Sequence, residues 1–235
     1  MPLIWMLNWR LGLRGGCISH MSDQELFEAR LNAASSLRRL NHELVGRDSD
    51  LETLNRVTAE ATSLADALEP FERRDRAGAL SAHVERMFGM AQDGEEIDTS
   101  HAAFSVMADR AIGGPANPTG VDIEVEFNED EVVATVVFKA ANEGGPGRAH
   151  GGVVAGVFDD VTGYVLRIAE TAGFTGTISV RYHKPTPIEV PLTFRARLNG
   201  REDRKLFISA DCHDGETLIS SCEATYITID PSLFA

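Results

Sequence analysis

One long apolar helix among strand-like segments constrains the fold of this chain more than any other feature. Residues 151–171 begin GGVVAGVFDDVTGYVLRI and carry valine, phenylalanine, leucine and isoleucine around most of the helix circumference. A helix that is apolar almost all round is stable only when other elements bury it. We therefore expect the rest of the chain to supply a sheet that encloses this helix.

Six segments with strand-like patterns lie on both sides of the helix. DIEVEF and EVVATVVF precede it, and TISVRY, PLTFRARL, KLFISADC and ISSCEATYITI follow it. Apolar and polar residues alternate along most of them, which is typical of strands with one buried face. This order predicts an α+β fold in which an antiparallel sheet of about six strands wraps around one central helix. The last four strands are predicted to form a meander, with the proline-rich segment 183–190 at a sheet edge or in a loop.

The part of the chain before the strands has a helical pattern. Apolar residues recur at helical spacing in two segments that follow Ser22 and Ser49, and each serine precedes a glutamate by three residues, as in a capping box. A weaker helix is predicted at 77–90. We therefore divide the chain into an atypical extension (1–20) with Met21 as a possible working start, a helical appendage (21–100) and a sheet domain (101–235).

Composition limits the classes of partner and compartment. The formal net charge is −14 and the pI is near 4.9, which argues against nonspecific binding to nucleic acid. Basic residues of the last third (Arg181, Lys184, Arg195, Arg197, Arg201, Arg204 and Lys205) form either a site for an anionic ligand or solvated strand faces. No apolar run is long enough to span a membrane, and the three cysteines lack zinc-ligand spacing. We expect a cytoplasmic protein without a metal site.

Within the central helix, one narrow stripe lacks large side chains. Gly152, Gly156, Asp159 and Gly163 lie on the same face at 100° per residue. Each helical glycine costs about 1 kcal/mol relative to alanine, so a stripe of three indicates that something approaches the backbone closely. A second helix and an extended ligand are the two alternatives.

The residues that lead into the helix form a possible oxyanion hole. The amides of Gly151 and Gly152 are among the unpaired donors at the positive end of the helix dipole. One such donor typically stabilises a developing oxyanion by roughly 3 kcal/mol. A tight turn without catalytic function is the alternative explanation for this motif.

These motifs together resemble one enzyme family. The HGG sequence, the nine-residue step from His150 to Asp159, and the segment TGTISVRYHKPTPI are similar to those of hot-dog acyl-coenzyme A thioesterases of the phenylacetate-pathway type, over about residues 118–230. The resemblance implies that the Gly151 amide polarises the thioester carbonyl and that Asp159 is the general base or nucleophile. It also implies that Thr175 holds the attacking water or the carboxylate.

The chain departs from the family pattern at two places. Related enzymes often carry Asn or Gln in the loop before HGG, but Asn142 and Glu143 are out of register with that position, so the role is unassigned. Asp160 is an additional acid beside Asp159, which we interpret as either solvent-facing or structural.

Several other residues are candidates for the site. His150 is either a catalytic base or a residue that fixes the loop, and His183 with Lys184 either contacts coenzyme A phosphates or forms a polar strand edge. Gly152 and Gly156 are predicted to line the path of the acyl-pantetheine. Coenzyme A is needed only as part of the substrate, and no metal or redox cofactor is predicted.

Geometry predicts that the site is shared between subunits. Gly151 and Asp159 are eight residues apart, or roughly 12 Å along one helix, whereas both must lie within about 3 Å of one thioester group. We therefore expect a homodimer or dimer of dimers in which Gly151 of one subunit faces Asp159 of another. The alternatives to a thioesterase are an acyl-coenzyme A hydratase or dehydratase of the same fold, and a non-catalytic domain that binds acyl-coenzyme A for regulation.

Overall fold

The computed structural model describes residues 17–79 and 107–229. Two helices come first: α1 spans Cys17–Gly46 and α2 spans Leu51–Leu68. The predicted helix at 77–90 and the predicted domain boundary at residue 100 lie largely outside the described residues, which are helical at 76–79. No helix within the described ranges has the length and apolarity needed to cross a bilayer.

Both predicted capping boxes are wrong in position. Helix α1 begins at Cys17, five residues before Ser22, so that serine lies inside the helix. Helix α2 is capped by Asp50, whose side-chain oxygen accepts a hydrogen bond from the Thr53 amide at 2.7 Å, and not by Ser49. Asp and Ser are equally good caps, so two neighbouring candidates cannot be ranked by residue type alone.

One six-stranded antiparallel sheet forms the centre of the structure. Its strands are β1 (Ile123–Phe127), β2 (Glu131–Val137), β5 (Gly173–Tyr182), β6 (Pro191–Glu202), β7 (Lys205–Asp214) and β8 (Thr217–Thr228). Their order across the sheet is β1-β2-β6-β7-β8-β5. A small hairpin of β3 (Glu143–Gly145) and β4 (Arg148–Ala149), which the sequence analysis missed, precedes helix α3 (Gly151–Ile168). The predicted sheet around one central helix is confirmed.

The predicted four-strand meander is wrong in one respect. Strands β6, β7 and β8 do form a meander, but β5 pairs with β8 and lies at the sheet edge. The segment 183–190 therefore passes β8 and β7 to reach β6 beside β2, and does not join two neighbouring strands of a meander. The alternation along β5 predicts a strand but carries no information about which neighbour it pairs with.

Helix α3 packs across the concave face of the sheet. Val154, Val157, Phe158 and Val161 are fully buried, and the Phe158 ring meets Phe194 of β6 edge to face at 5.0 Å between centroids. Full burial of each such side chain contributes about 1.5–3 kcal/mol. This packing explains why the helix is apolar over most of its surface, and it fixes the direction in which the remaining stripe points.

Helix α1 docks on the sheet domain through polar contacts. The buried Arg38 guanidinium donates to the Asn117 carbonyl at 2.6 Å and pairs with Asp122 at 3.0 Å. Asn41 donates to the Pro118 carbonyl at 3.2 Å. In contrast, α2 buries none of its residues. The two helices of the appendage are therefore not equivalent, because only α1 is built into the domain.

Candidate functional site

The HGG corner forms the N-terminus of α3 as predicted. His150 is the N-cap residue in an extended conformation, and its Nδ1 accepts a hydrogen bond from the Gly152 amide at 3.0 Å. The His150 carbonyl accepts from the amides of Val153 and Val154 at 2.9 and 3.1 Å. His150 thus fixes the corner, which is one of the two roles considered for it. Because the Gly152 amide donates to the His150 ring, it is not available to a ligand.

The Gly151 amide is the donor that this arrangement leaves available. It donates to no residue within 17–79 or 107–229, as is usual for the first amide of a helix. The Gly151 carbonyl, which belongs to the following peptide group, accepts from the Tyr182 hydroxyl at 2.6 Å, so Tyr182 also fixes the position of Gly151. The corner therefore presents one oriented N–H at the positive end of the α3 dipole.

Asp159 lies two turns further along α3 and is held from the sheet. Its Oδ1 accepts a hydrogen bond from the Thr175 hydroxyl of β5 at 2.7 Å, which brings together two residues predicted for the site. The side chain is half-buried, and only Oδ1 takes part in hydrogen bonds within the described chain. An oriented carboxylate with one oxygen available can act as a general base or as a nucleophile.

A second hydroxyl supports Asp159 and was missed by the sequence analysis. Tyr226 of β8 is 3% exposed, and its hydroxyl donates to the Asp159 carbonyl at 2.8 Å. The same hydroxyl lies 3.0 Å from Thr162 Oγ1 and 3.5 Å from Asp159 Oδ1. Burial raises the pKa of Tyr226, so the phenol stays protonated. The sequence shows a tyrosine on an inward-facing strand position but not that its hydroxyl reaches α3.

Asp160 has a structural role, one of the two interpretations considered for it. Its Oδ2 accepts from the Gly113 amide at 2.7 Å and lies 3.7 Å from Arg110 Nε. Burial raises the pKa of this carboxyl group, while Arg110 and the Gly113 amide lower it. The adjacent acids therefore point to different sides of the helix: Asp159 faces β5 and β8, and Asp160 fastens the segment 107–121.

Within the chain, the glycine stripe serves contacts that the sequence analysis did not foresee. A Cβ atom at Gly156 would lie 2.7 Å from Ile112 Cδ1, so the close approach there is made by the segment 107–121. A Cβ atom at Gly163 would lie 3.4 Å from the Tyr226 hydroxyl, which is an ordinary contact. That Gly152 and Gly156 line the path of a substrate stays a prediction.

A cavity of about 350 Å³ opens beside the corner. Gly151 lies on its wall with Tyr182, and the remaining lining residues are Arg148, Ala149, His183, Lys184, Pro185 and Thr186. The His183 ring lies 2.9 Å from Ser221 Oγ and is exposed. The structure thus brings His183 and Lys184 next to the corner, where they line the same cavity as Arg148 and Gly151.

Other basic residues of the last third do not join this cavity. Arg195 and Arg197 both pair with Glu131, at 2.7 and 2.6 Å, and Arg197 also approaches Asp211 at 3.4 Å. These partners lie on the face of the sheet opposite α3. The interpretation as solvated strand faces therefore fits Arg195 and Arg197.

The sheet domain is similar to known proteins. Residues 146–220 match the model of the thioesterase superfamily. A solved structure described as a thioesterase superfamily protein aligns with a TM-score of 0.64 and 26% identity, over 84% of this chain and 90% of that one. The sheet domain at residues 107–229 is only about half of this chain, so the aligned region also includes part of the chain before residue 107. The resemblance to hot-dog thioesterases is confirmed, while the phenylacetate-pathway subtype stays a prediction.

Curated relatives match about half of the chain. Acyl-coenzyme A thioesterase THEM4 of Mus musculus is 34% identical over 116 residues, which are 48% of this chain and 50% of that protein. Acyl-coenzyme A thioesterase THEM5 of Homo sapiens is 24% identical over 114 residues, which are 47% of this chain and 46% of that protein. The chain thus spans about half the length of the curated relatives it matches.

Proposed function

We propose that this chain hydrolyses acyl-coenzyme A thioesters to a free acid and coenzyme A. The observation that carries the proposal is the Asp159 carboxylate, which Thr175 orients at 2.7 Å on a helix whose first amide, that of Gly151, has no partner within the described chain. A base or nucleophile and an oxyanion donor are the two groups that acyl transfer needs. The names of the curated relatives agree with this reaction.

In the general-base route, Asp159 removes a proton from water while the oxygen of that water bonds to the thioester carbonyl carbon. The carbonyl oxygen becomes an oxyanion, which the Gly151 amide stabilises. Collapse of the tetrahedral intermediate breaks the C–S bond, and the coenzyme A thiolate takes the proton from Asp159. In the nucleophilic route, Asp159 attacks the carbon directly, and the C–S bond breaks to release the coenzyme A thiolate and leave a mixed anhydride. Water then hydrolyses this anhydride to the free acid and the Asp159 carboxylate, and a proton from that water neutralises the thiolate. Thr175 stabilises the carboxylate in both routes.

The proposed site is completed by a second copy of the chain. Gly151 and Asp159 lie on the same helix about 12 Å apart, so one thioester cannot contact both within one subunit. Strand β5, which carries Thr175, lies at the sheet edge and pairs only with β8 among the described strands. A homodimer joined across β5, alone or within a dimer of dimers, would bring the α3 N-terminus of the partner towards Asp159.

The cavity beside Gly151 is the proposed entrance for coenzyme A. His183 and Lys184 line it together with Arg148, and these residues would face the phosphates of the ligand. We also propose a cytoplasmic location, with which the two buried free thiols of Cys212 and Cys222 agree. Burial raises the pKa of each thiol to about 12, so neither is a nucleophile.

A substrate panel tests the proposed reaction. Short, medium and aryl acyl-coenzyme A esters are incubated with the parent protein, Asp159→Asn and Asp160→Asn, and release of free coenzyme A thiol is measured. We expect Asp159→Asn to lose about 10²-fold to 10⁴-fold in kcat, the usual contribution of a positioned base, and Asp160→Asn to stay close to the parent. A folded parent that cleaves no ester, or a fully active Asp159→Asn variant, would contradict the proposal.

The same panel distinguishes the alternatives. Hydration of an enoyl-coenzyme A ester with its thioester intact would indicate a hydratase, and saturable binding without any turnover would indicate a regulatory domain.

Mixed subunits test the shared site. Asp159→Asn and Gly151→Pro homo-oligomers are each expected to be inactive. After subunit exchange, a hybrid dimer contains one site with both Gly151 and Asp159, so about a quarter of all sites should regain activity. Absence of any recovery after demonstrated exchange would show that the site lies within one subunit.

A further inference from the structure

We infer that His42 of α1 is a positioning residue for the oxyanion corner, which makes α1 part of the catalytic unit. This inference rests on the proposed function. It assigns a role to the helical appendage, whose relation to the site the sequence does not reveal. Three successive contacts connect His42 to the Gly151 amide.

The first contact joins α1 to the turn 140–142. His42 Nδ1 accepts a hydrogen bond from the Ala141 amide at 3.2 Å. One helical turn later, a Cβ atom at Gly46 would lie 2.9 Å from Ala140 Cβ, so the helix backbone rests directly on the turn. The imidazole therefore contacts a backbone segment that is already closely packed against α1.

The second contact joins the turn to the HGG corner. The buried Asn142 accepts, through its backbone carbonyl, a hydrogen bond from the His150 amide at 2.8 Å. The turn itself is closed by two further bonds: the Asn142 amide donates to the Lys139 carbonyl at 2.8 Å, and the Lys139 amide donates to Asn142 Oδ1 at 3.0 Å. A displacement of the turn at Ala141 is therefore transmitted to His150.

The third contact is the cap itself. His150 sets the start of α3 through its Nδ1 and its carbonyl, and that carbonyl belongs to the same planar peptide group as the Gly151 amide. Stabilisation of an oxyanion is sensitive to the position of the donor to within a fraction of an ångström, and to the direction of its N–H. The direction of the Gly151 amide thus depends on His150, on Asn142 and, through Ala141, on His42.

The charge state of His42 suits this role. Burial lowers its pKa, Lys139 and Arg38 lower it further, and Asp122 and Glu189 raise it. The neutral ring is the form whose Nδ1 can accept a hydrogen bond, whereas the imidazolium can only donate. Protonation of His42 should therefore release the turn.

Residues of α1 other than His42 also dock this helix on the sheet domain. Arg38 and Asn41 bind the carbonyls of residues 115, 117 and 118 on a neighbouring loop. Asn41→Ala is therefore a matched control, because it removes one α1 contact of similar strength that does not lead to the corner.

The test compares four forms of the full chain: the parent, His42→Leu, His42→Asn and Asn41→Ala. Leucine has a similar size but no acceptor, and the asparagine Oδ1 can occupy the position of Nδ1. We expect His42→Leu to lower kcat about threefold to tenfold with little change in KM, which corresponds to one neutral hydrogen bond. His42→Asn should restore most of kcat, and Asn41→Ala should leave it unchanged.

A pH profile adds a second readout. At pH values below the ordinary imidazole pKa of about 6.5, kcat of the parent should fall relative to that of His42→Asn, which has no titratable group at this position. Parallel profiles for the two proteins would contradict the inference. Equal losses of kcat in His42→Leu and Asn41→Ala would also overturn it, because they would indicate a general effect of α1 docking.

Hydrogen exchange separates this inference from the proposed function. His42→Leu should accelerate exchange of the Ala141 and His150 amides several-fold, while His42→Asn and Asn41→Ala should not. This measurement decides the physical connection even if the parent hydrolyses none of the esters. Unchanged protection of the His150 amide in His42→Leu would overturn the inference.

Discussion

Replacing Gly151 with proline would test the contribution of its amide hydrogen alone, because the hydrogen bonds that form the corner do not use that hydrogen. Gly151 is the first residue of α3, where proline is favoured because that amide has no helical partner. The preceding His150 has φ −66° and ψ 130°, an extended conformation that is compatible with a following proline. The change therefore removes the proposed oxyanion donor without breaking a hydrogen bond of the described chain.

The expected magnitudes for stability and catalysis differ strongly. Proline at a compatible position typically changes the free energy of unfolding by less than about 1 kcal/mol, often towards higher stability. Loss of one oxyanion donor lowers kcat by about 10² to 10³, or about 2.7–4 kcal/mol. Gly151→Ala is the matched control, because its Cβ would lie 3.4 Å from the Tyr182 hydroxyl, an ordinary contact, and its amide hydrogen remains.

The assay measures kcat on the best ester of the panel together with the thermal unfolding midpoint of each variant. We expect Gly151→Ala to stay within a few-fold of the parent, and Gly151→Pro to keep its midpoint while losing at least about 100-fold in kcat. If folded Gly151→Pro hydrolyses the ester as fast as Gly151→Ala, the Gly151 amide does not stabilise the transition state, and the reasoning is refuted.

Three further predictions concern the two acids and the glycine stripe. Tyr226→Phe removes the buried hydroxyl that supports Asp159. We expect kcat to fall about tenfold with unchanged KM, and the free energy of unfolding to fall by about 1–3 kcal/mol. An unchanged kcat in a measurably destabilised variant would show that Tyr226 supports only the fold. Burial raises the folded-state pKa of Asp160 above 3.8, so the native protein binds a proton at this group more readily than the unfolded chain does. The free energy of unfolding of the parent, relative to that of Asp160→Asn, should therefore rise as pH falls from neutral towards about 4. Chemical unfolding of both proteins at several pH values checks the sign of this change. Gly156→Ala would place its Cβ 2.7 Å from Ile112 Cδ1 and should lower the free energy of unfolding by about 1–3 kcal/mol. Adding Ile112→Ala to the same chain should partly relieve this destabilisation. Thermal unfolding that shows no such coupling between the two substitutions would contradict the contact.

The hydrophobic pattern was sufficient to predict the main elements and their number. Apolar residues alternate along the strands, and one helix is apolar over most of its surface. Because the strands and the helix must all bury their apolar faces, few arrangements other than a sheet around that helix are left. The nine-residue step from His150 to Asp159 likewise placed the cap and the acid on one helix, as the structure has them. The pairing of Thr175 with Asp159 followed from the family resemblance.

The position of β5 beside β8 was decided by the tertiary structure alone. Backbone hydrogen bonds of a strand are alike for every neighbour, so the strand order depends on how the whole sheet closes around α3. For the same reason, the sequence did not reveal that Tyr226 reaches Asp159 from a strand 67 residues later.

Local periodicity determined which residues form helices and strands, because that pattern reflects the burial of one face and is written within each segment. Contacts between distant segments depend on distances of a few ångströms between side chains that no periodicity encodes. Only the folded chain therefore distinguishes Asp159, which faces two hydroxyls, from Asp160, which holds a loop. The same applies to His42, whose contact with the turn 140–142 spans 99 positions of sequence.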